Sequence, residues 1–395
     1  MVSLEYPLEI ARGGIGTYTY YLSHALARKG HEIHVVTISK GYRRQYIDNG
    51  VTVYALRYQQ PIRKEGFWNY LNHSWDVYKA IIQLFKRNSI EVIECPTGYV
   101  EGFVLSKIKV LPLIVKCHDL PWLIRPRLIT QGKPLFIMNE QLMSMMQKSM
   151  ITSADKVTSP SVALSKIISK QYDLVKPDVI HNGIDLQEFD DVKDSSSFRQ
   201  RYSIRESDPV ILYLGRFSKI KGISILMRAI PQVLKDFPRA LFVFVGRDQP
   251  KPGETTYEEW IKQTLRQSQR KNIIFTGYLD GVRKVEAIKA CNFLVIPSLW
   301  ETFPYVCLEA MTCGKPVIGS RVGGLQELIT HGTNGLMFTP HSDIELAENI
   351  KNLLCDDGKM RKMGKMARRT VEKKFTDDIM AEKTIQLYHQ VLEAS

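Results

Sequence analysis

The sequence contains no apolar run near the roughly 20 residues that a membrane-spanning helix needs. It also lacks a basic-then-apolar leader, since Glu5 and Pro7 interrupt the N-terminus at once, and the expectation is a cytoplasmic protein. The six cysteines (Cys95, Cys117, Cys291, Cys307, Cys313, Cys355) include no Cys-x-x-Cys pair. Most lie in or beside apolar stretches, where a thiol behaves as a small hydrophobe, so neither a disulfide framework nor a zinc site is indicated. No Asp-x-Asp occurs, and no carboxylate/histidine cluster has metal-ligand spacing. Chemistry resting on Mg²⁺ or Mn²⁺ held between aspartates therefore has no visible ligands, and no metal or other cofactor is expected. There is no glycine-aromatic RNP-type run and no zinc finger, so a nucleic-acid partner is not expected either.

What is present is an ordinary globular composition, 44% apolar and 24% charged over 395 residues, enough chain for two or three cores. The net charge of +13 calls for an anionic partner. Residues 1–188 carry 23 Lys and Arg against 16 Asp and Glu, so the excess is not confined to one tail.

Short apolar runs ending in turn residues alternate with amphipathic segments along the whole chain, the pattern of doubly wound parallel sheets. The fold class is α/β, with two Rossmann-like domains facing a cleft. The stretch Leu186–Pro209 is polar and reads as the linker. Domains are expected at 1–188 and 189–376, with 377–395 a final helix. In residues 223–237, Leu226, Ala229, Ile230, Val233, Leu234 and Phe237 keep a helical 3-4 spacing and predict one packed face.

The stretch Pro297–Gly324 carries most of the chemistry. Phe293–Ser298 reads as a buried strand, Glu301 stands on the loop after it, and Pro304 suits the first turn of a helix that Gly314 ends. Glu301 and Glu309 thus flank a helix N-terminus, a place for anionic or hydroxyl-rich ligands. The plain alternative is a solvated loop glutamate and an exposed helix glutamate. Arg216 and Lys221 lie just beyond another strand, at a second helix start, where two cations repel the dipole unless an anion lies between them. Gly13, Gly14 and Gly16 suit a backbone approached closely by a phosphate, or a plain tight turn. Thr19 replaces the third glycine of a G-x-G-x-x-G fingerprint and Ser39-Lys40 follow the second strand, so a nicotinamide site is disfavoured. His118 and Asp119 occupy a strand tip, and His118 reads either as a functional group or as a satisfied structural histidine.

Taken together, GGIG near the start, HD after a strand, HNGID at 181–185, GRFSKIKG, VGR, WETFPYVCLEAMTCGKPVI, RVGGLQELI and HGTNGLMF resemble the retaining glycosyltransferases of family 4. The resemblance spans essentially the whole chain. It implies a GT-B fold, with an acceptor-binding N-terminal domain, a nucleotide-sugar-binding C-terminal domain and a last helix crossing back onto the first. It implies that Arg216 and Lys221 hold the diphosphate, Glu309 the ribose hydroxyls and Glu301 the donor sugar. Backbone around Thr302, Phe303, Tyr305 and Val306 would hold sugar and phosphate, and Gly246, Arg247 and Tyr278 would lie near the base. His118 would face the sugar as a catalytic residue with Glu301, Gly14 and Gly16 would flank the reaction, and Asp119 would touch the acceptor.

Two departures stand out. Thr302 and Pro304 replace common family glycines, and Pro304 has no N–H to give. The family also has apolar residues before the position of Met1, so the first strand is expected to be short. The partners implied are a UDP- or GDP-sugar and a glycan, lipid-linked or small-molecule acceptor. Rival readings are a non-hydrolysing sugar-nucleotide epimerase and a basic, non-catalytic module binding RNA or a membrane. Tyr58–Tyr78 mixes Arg63 and Lys64 with Phe67, Trp68, Tyr70 and Trp75, a blend suited to an anionic membrane surface. The alternative is that Trp75, Tyr78 and Ile81 form a core face.

Overall fold

The structure, a computed structural model, describes every residue except 8, 10–12, 58–66, 88–89, 119–133, 174–175, 194–195, 249–255 and 395, together with all side chains but those of these and of 134–137 and 140. Asp119 and the basic pair Arg63-Lys64 lie outside the described residues. The chain forms two units, Met1–Gly183 with Asp377–Ser395, and Ile184–Thr376.

In the first unit the strands are β1 (Ile33–Ser39), β2 (Arg44–Asp48), β3 (Val51–Arg57), β4 (Ile93–Pro96), β5 (Leu113–Lys116), β6 (Lys156–Ser159) and β7 (Asp178–Val179). They form the sheets β1-β3-β2 and β4-β5-β6-β7. The first residues lie between these sheets: the Val2 N–H donates to Glu94 O (2.8 Å) and the Ser3 N–H to Val36 O (3.0 Å). Strand β2 was not expected from its polar residues. It pairs antiparallel with β3 across Asn49-Gly50, both at positive φ, the two-residue turn whose twist suits a hairpin. The helix Asp377–Glu393 returns to this unit through Met380, Ala381, Leu387 and Val391. Arg28 bonds Asp377 at 2.6 Å and Lys29 bonds Glu382 at 2.9 Å.

The second unit holds β8 (Val210–Leu214), β9 (Leu241–Val245), β10 (Ile273–Gly277), β11 (Phe293–Ile296), β12 (Val317–Ser320) and β13 (Gly335–Phe338). They make one parallel sheet in the order β10-β9-β8-β11-β12-β13. Counted from β8 this is 3-2-1-4-5-6, the dinucleotide-binding order, and the strand sequence reverses between β8 and β11. The helix Ile223–Asp236 packs by the face that its spacing predicts, with Leu226, Ala229, Ile230, Val233 and Leu234 buried in the core.

The stretch Leu186–Pro209, expected as a linker, is packed into this second unit. Phe189 and Phe198 are fully buried and Ile204 nearly so. A few apolar anchors among polar residues suffice to fix a segment that its average composition presents as solvated.

Candidate active site

In an open parallel sheet, ligands bind outside the carboxyl ends of the strands where their order reverses. In the second unit that point lies beyond β8 and β11, and the residues following these strands are Gly215-Arg216 and Pro297–Glu301. The Tyr213 hydroxyl donates to Arg216 O at 2.9 Å, which fixes the turn, while the Arg216 side chain is exposed. Lys221 ends a short 3₁₀ turn, and Gly222 caps the following helix at φ +67°. A Cβ on Gly222 would lie 1.7 Å from Pro297 O, so this glycine lets the β8 and β11 loops touch.

The β11 loop is braced from its other side as well. Gly324 N–H donates to Glu301 O at 2.9 Å. A Cβ on Gly323 would meet Glu301 O at 1.9 Å, and one on Gly324 would meet Thr302 O at 2.0 Å. Ser320 Oγ bonds Ser298 O, tying the ends of β11 and β12.

The two carboxylates carried by this loop and its helix are buried, Glu301 at 6% exposure and Glu309 at 3%, so the solvated alternative does not hold. Each is held by a lysine through one oxygen. Lys221 Nζ reaches Glu301 Oε1 at 2.7 Å and Ser298 Oγ donates to the same oxygen at 2.6 Å. Lys284, from the helix Gly281–Ala290, reaches Glu309 Oε1 at 2.6 Å. The second oxygen of Glu309 is buried and, among the described residues, accepts no hydrogen bond. Such an acceptor is costly to leave alone, and it is matched to a ligand hydroxyl.

Lys221, expected to need a ligand anion, already has one in Glu301. Lys284 was not foreseeable from sequence, because its partner lies 25 residues away on another helix.

Pro304 is the N-cap, at φ −76° and ψ 124°, and not the first helical residue, which is Tyr305. The helix Tyr305–Thr312 begins with N–H groups that a helix cannot satisfy itself. Thr302 and Val306 are half-buried there and Tyr305 is buried. Phe303 is buried, its ring edge-on to Phe375 at 5.5 Å. Gly246 follows β9 and donates to Gly277 O at 3.0 Å, and the Arg247 guanidinium lies 4.5 Å above the Tyr278 ring. The second unit thus brings Arg216, Lys221, Glu301–Val306, Glu309, Gly246, Arg247 and Tyr278 to the carboxyl edge of one sheet.

The first unit holds the other candidates. Gly14 opens the helix Gly14–Arg28, and Gly16 N–H donates to Glu5 Oε2 at 3.2 Å. The group that approaches Gly13 and Gly16 closely is Glu5, a Cβ on Gly13 lying 2.2 Å from Glu5 Oε2 and one on Gly16 2.9 Å from Glu5 Cβ, whereas a Cβ on Gly14 would meet nothing within 4 Å. His118 follows β5, its ring edge-on to Tyr18 at 4.6 Å and its Nε2 buried with no hydrogen bond among the described residues. Burial first, and the Lys116 charge second, hold its pKa well below the usual histidine value, so the imidazole is neutral at pH 7. Lys116 is itself buried, donates to Ile180 O at 2.7 Å, and is lowered by burial to about 8. Among the described residues, no group of three or more His, Cys, Asp and Glu side chains could hold a metal ion.

Comparison with known proteins matches this arrangement. The family model "Glycosyltransferase Family 4" matches residues 12–188, and "Glycosyl transferases group 1" matches residues 194–370. An uncharacterized glycosyltransferase of Methanocaldococcus jannaschii is 28% identical over 404 residues, covering 100% of this chain and 98% of its own. Sucrose-phosphate synthase from Thermosynechococcus elongatus has the same fold, with a TM-score of 0.80 at 24% identity over 100% of this chain and 98% of its own. Anabaena HepE, solved in complex with UDP and glucose, superposes with a TM-score of 0.72 at 21% identity, covering 98% of each chain. The chain belongs to the family-4 glycosyltransferases and has their GT-B fold of two Rossmann-like domains.

Proposed function

We propose that the protein transfers a hexosyl unit, with retention and without a metal, from a UDP- or GDP-sugar to a glycan, lipid-linked or small-molecule acceptor. The observation that carries this reading is the pair of buried, lysine-held carboxylates at the β8/β11 reversal, with Glu309 Oε2 still lacking a donor. A nucleotide ribose offers hydroxyl donors of the right kind for that oxygen. UDP is placed first among donors because HepE, which shares the fold, holds UDP and glucose.

In this mechanism the bond from the sugar C1 to the diphosphate oxygen breaks while an acceptor hydroxyl oxygen bonds C1 from the same face. The hydroxyl proton passes to the departing phosphate. Arg216 and Lys221 stabilise the charge developing on the diphosphate, the role that a divalent ion would otherwise fill. Glu301, shared between Lys221 and the sugar, orients the two with respect to each other. The first unit supplies the acceptor side, and the neutral His118, whose Nε2 has no partner among the described residues, serves the sugar as a hydrogen-bonding group. Glycosyl-transfer family membership speaks against the epimerase and the RNA-binding module.

Incubation with labelled nucleotide sugars and candidate acceptors in excess EDTA tests the proposal. Release of nucleoside diphosphate with a product of unchanged anomeric configuration supports it. An inverted product, or activity that appears only when Mg²⁺ or Mn²⁺ is restored, overturns it.

A membrane-surface acceptor is favoured by a specific observation. On the helix Phe67–Phe85, Ile81 is buried but Trp75 is 43% and Trp68 70% exposed, so Trp75 is not part of a core face. Trp75 stacks on Tyr78 at 5.2 Å with Lys79 beside it, and Met145 on the helix Pro134–Ser153 is 66% exposed. No described helix is long and apolar enough to cross a membrane. Cosedimentation with anionic vesicles at low but not high salt is the expected result. Absence of binding at low salt removes the membrane reading.

A further inference from the structure

The opposite edge of the second unit's sheet holds a cavity of about 480 Å³, within the range of small-molecule sites. It lies where β11 and β12 begin, away from the residues following their carboxyl ends, and its walls include Arg199, Lys289, Lys315 and Arg361. Three of these cations spend donors on backbone carbonyls and, among the described residues, none on a carboxylate. Arg199 Nη2 bonds Ala290 O at 2.9 Å, Lys289 Nζ bonds Val192 O at 2.5 Å, and Lys315 Nζ bonds Cys291 O at 2.6 Å. Arg361 is exposed on the helix Asp357–Lys374.

Cations often gather at helix C-termini simply to meet the dipole, and two helices end here, Gly281–Ala290 and Tyr305–Thr312. Their ends supply about half a negative charge each. Among the described residues the lining contributes one carboxylate, Glu206. Four cations against these leave an excess of about two positive charges, more than capping accounts for. A guanidinium has five N–H donors and an ammonium three, so Lys289 and Lys315 keep two donors each beyond the carbonyl bond, and Arg199, which also bonds Arg205 O and Asp208 O through Nη1, keeps two of its five.

We propose that this cavity is a second ligand site, which takes a small phosphorylated metabolite of sugar-phosphate size. The volume favours a small molecule over a nucleic acid or a bilayer face. The described lining has no aromatic ring, so nothing offers a stacking face for a nucleobase. The phosphate meets Arg199, Lys289, Lys315 and Arg361. This site lies on walls distinct from the residues assigned to the donor, and it stands whether or not those assignments do.

Calorimetry with glucose 6-phosphate tests it, in wild type and in an Arg216→Ala/Lys221→Ala variant that removes the other phosphate-binding candidates. The expected result is a Kd below about 1 mM, kept in that variant and weakened at least tenfold by Arg361→Glu or Lys315→Gln, with no binding of glucose. Lys315→Gln gives up a carbonyl bond and is checked for folding, whereas Arg361→Glu changes an exposed side chain and keeps the test decisive. Absence of binding, loss of binding in the Arg216→Ala/Lys221→Ala variant, or equal binding in Arg361→Glu overturns the proposal.

Discussion

Replacing Lys284 by methionine removes the cation that holds Glu309 and leaves most of the apolar stem in place. The Nζ–Oε1 distance is 2.6 Å, with the Lys284 side chain 16% and the Glu309 side chain 4% exposed, so solvent replaces little of the lost interaction. Breaking a buried pair by removing one partner costs about 3–5 kcal/mol, chiefly as the penalty for the charge left behind. For a unit of this size that is a fall in Tm of roughly 10 °C. Lys284→Met/Glu309→Gln removes the orphaned charge as well, and should recover most of the loss. Thermal unfolding of the wild type, both single variants and the double variant closes the cycle. If Lys284→Met melts with the wild type, or if the double variant melts no higher than Lys284→Met, the electrostatic account of this pair is wrong.

Gly222→Ala places a Cβ 1.7 Å from Pro297 O at a positive φ, and should cost at least about 1–2 kcal/mol while displacing the β11 loop. Unfolding midpoints and nucleotide affinity check this, and an alanine variant as stable and as tight as the wild type would contradict it. Arg216→Ala and Lys221→Ala should each lower kcat/KM by about 3 kcal/mol, near 100-fold. Only Lys221→Ala should also lower stability, because only Lys221 neutralises the buried Glu301. Glu101 is fully buried, and burial raises its pKa from the ordinary 4.5 to about 7. Its protonated form is favoured by the fold, so this contribution is complete below pH 4.5 and is lost as pH rises through 7, about 3 kcal/mol in all. Urea unfolding should therefore show Glu101→Gln gaining on the wild type between pH 5 and pH 8; a constant difference would refute the assignment.

Features set by local pattern were legible in the sequence. The alternation of short apolar runs with amphipathic segments gave the two α/β units, and the 3-4 spacing from Leu226 to Leu234 gave a helix face that is buried as drawn. The spacing of Glu301 and Glu309 across a strand, loop and helix start placed both at one edge of a sheet.

Features set by long-range pairing were not legible. Lys284 meets Glu309 only after two helices pack, and Lys221 meets Glu301 only after β8 and β11 become neighbours. The polar average of 186–209 hid Phe189 and Phe198, whose burial fixes the segment. Strand β2 escaped because Arg44–Asp48 is mostly exposed, yet Asn49-Gly50 was a hairpin signal already present in the sequence.

The most direct test of the central claim is calorimetric binding of UDP, GDP and ADP to the wild type, to Glu309→Gln and to Lys221→Ala. Matched 2′,3′-dideoxy analogues of each nucleotide complete the set. At least one diphosphate should bind, either substitution should weaken it at least tenfold, and removing the ribose hydroxyls should cost the wild type about as much as Glu309→Gln while costing that variant little more. Binding that ignores Glu309, Lys221 and the ribose hydroxyls alike, or no binding of any nucleoside diphosphate, would contradict that claim.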